Sequence, residues 1–432
     1  MRVQLAFGKT GLGLELPAGF RYQVLEARSA EPLPDWDGAV AAAVRAPLGR
    51  PPLEEMARGK RTAAISVCDI TRPAPNSKTL PHILGALERG GIRSEDITIL
   101  IATGLHRAAT DREIRQIVAE PIASKYRVVN HDARNLASHR PLGKTAAGTP
   151  VFIDERFIAA DLHITLGFIE PHLMLGFSGG RKLVAPGLAA QETIKVLHSP
   201  KFMRDARAIE GSTEENPLHH ELLEIARMAR HDFLLDVALA RDRSIAGVFA
   251  GDPEQAHRRG VEFVSQTILE ALGEPVDAAI TSAAGYPLDL TFYQTVKGVT
   301  AAAHIVKPGG RILVVGACEE GAGAPEFRQM LLAGTSDAQF LKQIASAPVV
   351  VDQWQLEKLA LVTTEKQLFY HVPGLPAEYH PKLWGRSLST PESAVEAVLA
   401  GLPAGARVAV IPEGPYVLAS CRGAREPEAV VS

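Results

Sequence analysis

The stretch from 167 to 187 reads GFIEPHLMLGFSGGRKLVAPG and gathers His172, Arg181 and Lys182 among glycines and prolines that cannot sustain a regular helix. A polar loop is expected there. Adjacent Gly179 and Gly180 permit positive φ and let backbone N–H groups approach a ligand closely, a common way of cradling phosphate. A solvated turn is the plainer reading of the same composition. The nearest functional competitor is a Walker-type phosphate loop, which also ends in glycine and lysine. Its spacing does not fit. Counted from Gly176, the second glycine would fall at Arg181, and Lys182 is followed by Leu183 where a magnesium-binding Ser or Thr is required.

His172 lies before Lys182, and His198 lies after it, closing the helical pattern AAQETIKVLH that Ser199 and Pro200 terminate. Taken singly, each is an ordinary surface or hydrogen-bonded histidine; their neighbourhood with Lys182 makes them candidates for chemistry. Two more segments place reactive side chains directly after apolar runs. ATGLHR (102–107) presents His106 and Arg107, and CDITRPAP (68–75) presents Asp69 and Arg72. Arg72 beside Pro73 and Pro75 sits in a stiff, extended loop suited to gripping a carboxylate. Asp69 equally suits a turn capped by its own side chain. Further on, SAAGYPLDLTFYQTVKG (282–298) carries Tyr286, Tyr293, Gln294 and Lys297. On a helix Tyr293 and Lys297 share a face, which is also what a partly exposed amphipathic helix would show.

The elements that must position these residues alternate. RTAAISVCD (61–69), SKTLPHILGALERG, ITILIATG (97–104) and TDREIRQIVAE read strand, helix, strand, helix, and LHITLGF (162–168) is a third strand. Alternation of this kind predicts βαβ units and a parallel sheet, in which ligands bind beyond the carboxyl ends of the strands. Asp69, Thr103 to Arg107 and the segment IEPH stand at three such ends. A helix-rich stretch follows from 173 to 229. The pattern 252–273 opens on Asp252 and Pro253 and closes on Gly273, which suggests a domain boundary there. After it the rhythm restarts with VDAAITSA, a helix over 291–303 and the strand GGRILVVGA (309–317). The expected architecture is therefore two α/β domains with mostly parallel sheets and the active site in the cleft between them. Residues 1–273 form the N-terminal domain and 274–406 a smaller C-terminal one, with 407–432, including the strand RVAVIPEG, read as a candidate return to the first domain.

The 432 residues suffice for two or three domains, and 46% hydrophobic with 22% charged residues is ordinary globular composition. Lysine and arginine total 46 against 49 acidic residues, a net charge of -3 that gives no bulk attraction for nucleic acid or membrane. Cys68, Cys318 and Cys421 are far apart and form no CxxC pair, which argues against a structural zinc site or a disulfide framework and fits a reducing cytoplasm. The N-terminus alternates apolar and polar residues, as two short strands would, and lacks the apolar core of a signal peptide. No run approaches the roughly 18 apolar residues that span a bilayer.

Together the words DITRPAP (69–75), ATGLHR (102–107), GFIEPHLMLGFSGGRKLVAPG (167–187), His198 and YQTVKG (293–298) resemble the nickel-dependent lactate racemases and their homologues. The resemblance spans both domains, and its third word is very specific. It implies a nickel-pincer nucleotide, a pyridinium-3-thioamide-5-thiocarboxylic acid mononucleotide that clamps one nickel ion. On that resemblance Lys182 is the lysine forming a thioamide with one arm, and His198 completes the nickel coordination, a donor set chemically suited to nickel. His106 and His172 match a pair of histidines that alternate as general base and acid on a 2-hydroxyl group, work suited to an imidazole. Arg72, Lys297, Tyr293 and Gln294 match positions around the substrate, and Trp354 an aromatic position near the cofactor. Asp69, with Gly179, Gly180 and Arg181, would help seat the nucleotide. The implied activity is racemisation or epimerisation of a 2-hydroxy acid, lactate or a related short-chain acid. The implied partners are that acid and the enzymes that make the cofactor.

Malate, aromatic or sugar acids are alternative substrates for the same chemistry, because these motifs do not read the side-chain pocket. A zinc- or nicotinamide-dependent enzyme using the same histidines is a further alternative, weakened by the lack of an HExxH word or of a GxGxxG after a strand. A non-catalytic nucleotide carrier is the third.

Overall fold

The computed structural model describes residues 1–421. Its chain divides into a larger unit, Ser29–His198 with Ala206–Thr267, and a smaller one made of Met1–Arg28, Ser199–Asp205 and the chain from Ile268 onward.

In the larger unit the β-branched runs Ala63–Cys68 (β1) and Ile97–Ala102 (β2) pair in parallel, Ala63 opposite Ile97 and Cys68 opposite Ala102. Arg127–Asn130 (β3), Leu162–Phe168 (β4), Phe233–Leu239 (β5) and Ile245–Gly251 (β6) complete six strands in the order β6-β5-β4-β1-β2-β3. All pairs are parallel except β5 with β6. Every side chain of β1 and β4 is buried, as expected of strands covered on both faces. The helix Asn76–Arg89 (α1) crosses from β1 to β2 and buries Leu80, Ile83, Leu84 and Leu87, one stripe at helical spacing. Each such side chain contributes roughly 1.5–3 kcal/mol on burial. The chain runs outward from β1 to β3 and then returns to the other side of β1 for β4. That reversal opens a crevice at the carboxyl ends of β1 and β4, where three of the candidate segments emerge. The helix Gln191–Leu197 (α2) follows the last of them.

The smaller unit holds a second six-stranded sheet. Val276–Ser282 (β7), Val306–Val315 (β8), Gln367–His371 (β9), Arg386–Ser387 (β10) and Arg407–Ile411 (β11) lie in the order β10-β9-β8-β7-β11, and Arg21–Val24 completes the β11 edge. All pairs are parallel. The helices Phe292–Ala303 (α3) and Gln353–Thr363 (α4) belong to this unit.

Both ends of the chain depart from the expected organisation. Arg407–Ile411 does not return to the first domain; it pairs with β7 and with Arg21–Val24, and Leu418–Cys421 pairs in parallel with Leu269–Leu272. Met1–Arg28 also belongs to the smaller unit. Four of the five β11 residues are buried, so the strand needs a neighbour on each side. Its alternation does not say which distant segments supply them. The expected pair of short N-terminal strands is present, Arg2–Leu5 antiparallel to Leu12–Glu15. Residues 422–432 of the expected tail lie outside the described residues. Among the described residues no helix is long and apolar enough to cross a membrane.

Candidate active site

The carboxyl end of β1 delivers Asp69, which is 6% exposed. The Thr71 hydroxyl donates to its Oδ1 at 2.7 Å, and its Oδ2 lies 2.7 Å from His106 Nδ1. Burial draws this carboxyl upward, but the His106 bond and charge, the Thr71 hydroxyl and Arg72 outweigh it and hold the group below the ordinary carboxylate value. An ionised carboxylate only accepts, so the shared proton sits on Nδ1 and the Nε2 lone pair is left for a substrate. The turn after β2 sets the ring: the Thr103 hydroxyl donates to His131 O at 2.9 Å, and the His106 N–H donates to Thr103 O. The His106 side chain remains half exposed.

At the end of β4 the Ser178 hydroxyl donates to Phe168 O and accepts from the Glu170 N–H, closing the hairpin Pro171–His172 against Gly176–Phe177. The Met174 N–H lies 3.5 Å from His172 Nδ1, a long contact. Beyond the hairpin, Gly179 and Gly180 take φ of 86° and 46°, and the tight turn Gly180–Leu183 carries Lys182. Ser66 of β1 donates to Leu183 O at 2.8 Å and fastens the turn to the sheet. A Cβ at Gly179 would stand 2.4 Å from Asp236 Oδ2. Gly179→Ala is therefore expected to cost at least about 2 kcal/mol, combining left-handed strain with that overlap. The corresponding drop in melting temperature is roughly 4–8 °C for a unit of this size. An unchanged melting curve would show that the loop tolerates the methyl group.

Arg181, expected to help seat the nucleotide, points inward. Its side chain is 2% exposed and turns into its own loop, with Nη1 2.7 Å from His257 Nε2 and Nη2 donating to Leu175 O and Phe177 O at 3.1 and 2.8 Å. Burial lowers its pKa to about 9, so it stays cationic and pins the loop's carbonyls from within. Its Nη1 and Nη2 groups are committed to these contacts, and its Nε has no hydrogen-bond partner.

His198 caps α2. Its Nδ1 lies 2.8 Å from Ile194 O, and a carbonyl only accepts, so Nδ1 carries the proton and Nε2 keeps its lone pair. Burial pushes its pKa down to about 4, with the Lys182 charge adding to the fall and the Ile194 bond opposing it. A neutral imidazole fixed through its other nitrogen is the form that ligates metal. The charge of Lys182 also acts on the Cys68 thiol, together with those of Asp69, Arg72 and Asp236. Lys182 thus stands within electrostatic reach of both the β1 end and His198.

The remaining candidates lie on the smaller unit. Tyr293, Gln294 and Lys297 occupy α3, whose cap is the Thr291 side chain accepting from the Gln294 N–H. Trp354 on α4 is buried and donates its indole N–H to Tyr293 Oη at 3.1 Å, so it orients a tyrosine as well as filling the core. Gln355 Nε2 donates to Tyr293 O at 2.9 Å. Gln355 and Asp236 were not singled out from the sequence. A lone acid inside the apolar run FLLDVAL was the available signal for Asp236.

Two family models match the chain: the lactate racemase N-terminal domain over residues 7–211 and the lactate racemase C-terminal domain over 272–419. The lactate racemase of Thermoanaerobacterium thermosaccharolyticum is 31% identical over 428 residues, covering 96% of this chain and 98% of that protein. The lactate racemase of Lactiplantibacillus plantarum is 35% identical over 375 residues, 85% of this chain and 87% of that one. The solved apoprotein of the Thermoanaerobacterium enzyme superposes with a TM-score of 0.90 at 30% identity, over 99% of this chain and 100% of the other. A Thermotoga maritima protein shares the fold at a TM-score of 0.67 and 16% identity, over 91% and 100% of the two chains. With both family models matched and relatives above 30% identity over most of its length, the chain belongs to the lactate racemase family of isomerases.

Proposed function

We propose that this chain interconverts the enantiomers of a 2-hydroxy acid, lactate or a related short-chain acid, using a nickel-pincer nucleotide anchored at Lys182. The observation that carries the reading is the pairing of an Asp69–His106 dyad with a Lys182–His198 neighbourhood around the carboxyl ends of β1, β2 and β4. Two relatives named for lactate support the substrate class.

The residues fit the group. Lys182 offers an amine, and His198 offers a neutral ring nitrogen. Among the described residues no three His, Cys, Asp or Glu side chains gather as a metal's ligand set. A metal that brings most of its own donors needs only one from the protein, which His198 supplies. When bound, the nucleotide supplies an acceptor for the substrate's α-hydrogen with its electron pair and gives them back to either face. The protein's own part is proton transfer and grip. His106, held by Asp69, accepts the 2-hydroxyl proton on Nε2, and the carboxylate stabilises the imidazolium that results. His172 takes the corresponding role for the other hand, because racemisation needs a base for each. Arg72, on the larger unit, is suited to hold the carboxylate by charge-assisted bonds. The nucleotide comes from cofactor-making enzymes, and three free cysteines suit a cytoplasmic home.

The test is intact-mass spectrometry of protein co-produced with those enzymes, followed by chiral assay of D- and L-lactate. Wild-type protein should carry the nucleotide's added mass and drive either enantiomer to the racemate. Lys182→Ala should carry none; retention of the adduct in that variant would refute the anchor.

A further inference from the structure

Helix α4 begins QWQLEK, yet Gln353, Trp354, Gln355, Glu357 and Lys358 are all below 9% exposure, and Glu357 is fully covered. Glutamate and lysine are rarely buried without an assigned partner. Trp354 and Gln355 serve Tyr293, as described above. Glu357 serves Arg204, whose Nε donates to Oε1 at 2.7 Å and whose Nη2 donates to Leu341 O at 2.5 Å. Arg204 lies in Ser199–Asp205, a short excursion of the chain into the smaller unit. Within the excursion Phe202 and Met203 are buried as well. The residue before it is His198.

Stability alone is a poor reason for this pair. Desolvating two charges offsets most of their attraction, and Glu357 Oε2 is left without a hydrogen-bond partner, so an apolar pair of similar volume would do as well or better. What an apolar pair cannot do is fix a backbone segment at one point in one direction. We propose that Glu357 is a positioning residue for His198: by holding Arg204 it immobilises 199–205 and so fixes the backbone on which the metal-ligating imidazole stands. This rests on the assignment of His198 as nickel ligand made above.

Hydrogen exchange on the apoprotein and nickel release from the loaded enzyme test it together. Glu357→Gln should raise amide exchange over 199–204 tenfold or more while leaving β4 unchanged. It should also speed nickel loss and shift the visible absorption of the bound metal. Arg204→Gln, at a side chain one-third exposed, should do the same if the first variant fails to fold, and Arg204→Lys should fall between it and wild type. Unchanged exchange overturns the proposal, and so does raised exchange with wild-type nickel release and spectrum. A wild-type chain that retains its nucleotide without nickel would instead overturn the His198 assignment.

Discussion

Asp69→Asn is expected to lower kcat for lactate racemisation by about 10²–10⁴-fold while the nucleotide stays bound. The carboxylate holds His106 by Nδ1 at 2.7 Å and so dictates which nitrogen faces the substrate. An asparagine can offer its N–H₂ to the same nitrogen, which moves the ring proton to Nε2 and removes the base. The neighbouring charge that stabilises the imidazolium also disappears. In serine-protease triads the equivalent change costs about 10⁴ in kcat for this reason. His106→Ala sets the ceiling, and if the two residues act as a unit the double variant should be no slower than the worse single one. The measurement is kcat and KM in both directions, with intact mass to confirm loading. The equilibrium constant between enantiomers is one, so kcat/KM must fall equally for both. An Asp69→Asn enzyme within a few-fold of wild type would remove the dyad from the mechanism. A variant that instead lost its nucleotide would restore the seating role expected from the sequence.

Much of this arrangement was legible before any coordinates. The runs ending at Cys68, Ala102 and Phe168 are apolar and β-branched because they are covered on both faces, and the polar words after them mark where the sheet stops. Gly179 and Gly180 suggest a close approach to a ligand, and a Cβ at either would meet the protein's own Asp236 or Leu234. The illegible part is what depends on distant partners. Nothing in RVAVI says that Arg21–Val24 will pair with it, and nothing in SPKFMRD says that its arginine will reach Glu357. The inward turn of Arg181 is hidden for a related reason: a cation in a glycine loop does not announce that the loop's own carbonyls will accept from it. Resemblance alone places Trp354 near the cofactor, and its contact with the Tyr293 hydroxyl is a tertiary fact.

Asp236→Asn is expected to make the apoprotein progressively more stable than wild type as pH rises. Asp236 is fully buried on β5, its oxygens facing Gly167 and Gly179. Burial drives its pKa up from 3.8 to about 7, and the Gly180 and Gly167 amides and the Arg181 charge pull it back only in part. For an acid whose folded value is raised, the folded state binds the extra proton, so stability declines with rising pH between the two values. The penalty is absent below the unfolded value, accumulates from about pH 4 to 7 and is complete above that. A rise of about three units corresponds to about 4 kcal/mol, of which roughly half accumulates between pH 5.5 and about 8. Asparagine has the same shape and no charge to desolvate, so the variant escapes the whole of it. Asp69, Asp154 and Asp232 are shifted the opposite way and Glu357 the same way, but all are common to both proteins and cancel in the difference. Melting curves at pH 5.5 and 8 therefore suffice: the variant's advantage should grow by several degrees between them. A difference that stays constant with pH would mean that Asp236 is ionised in the folded protein throughout, balanced by Arg181 beneath the loop that carries Lys182.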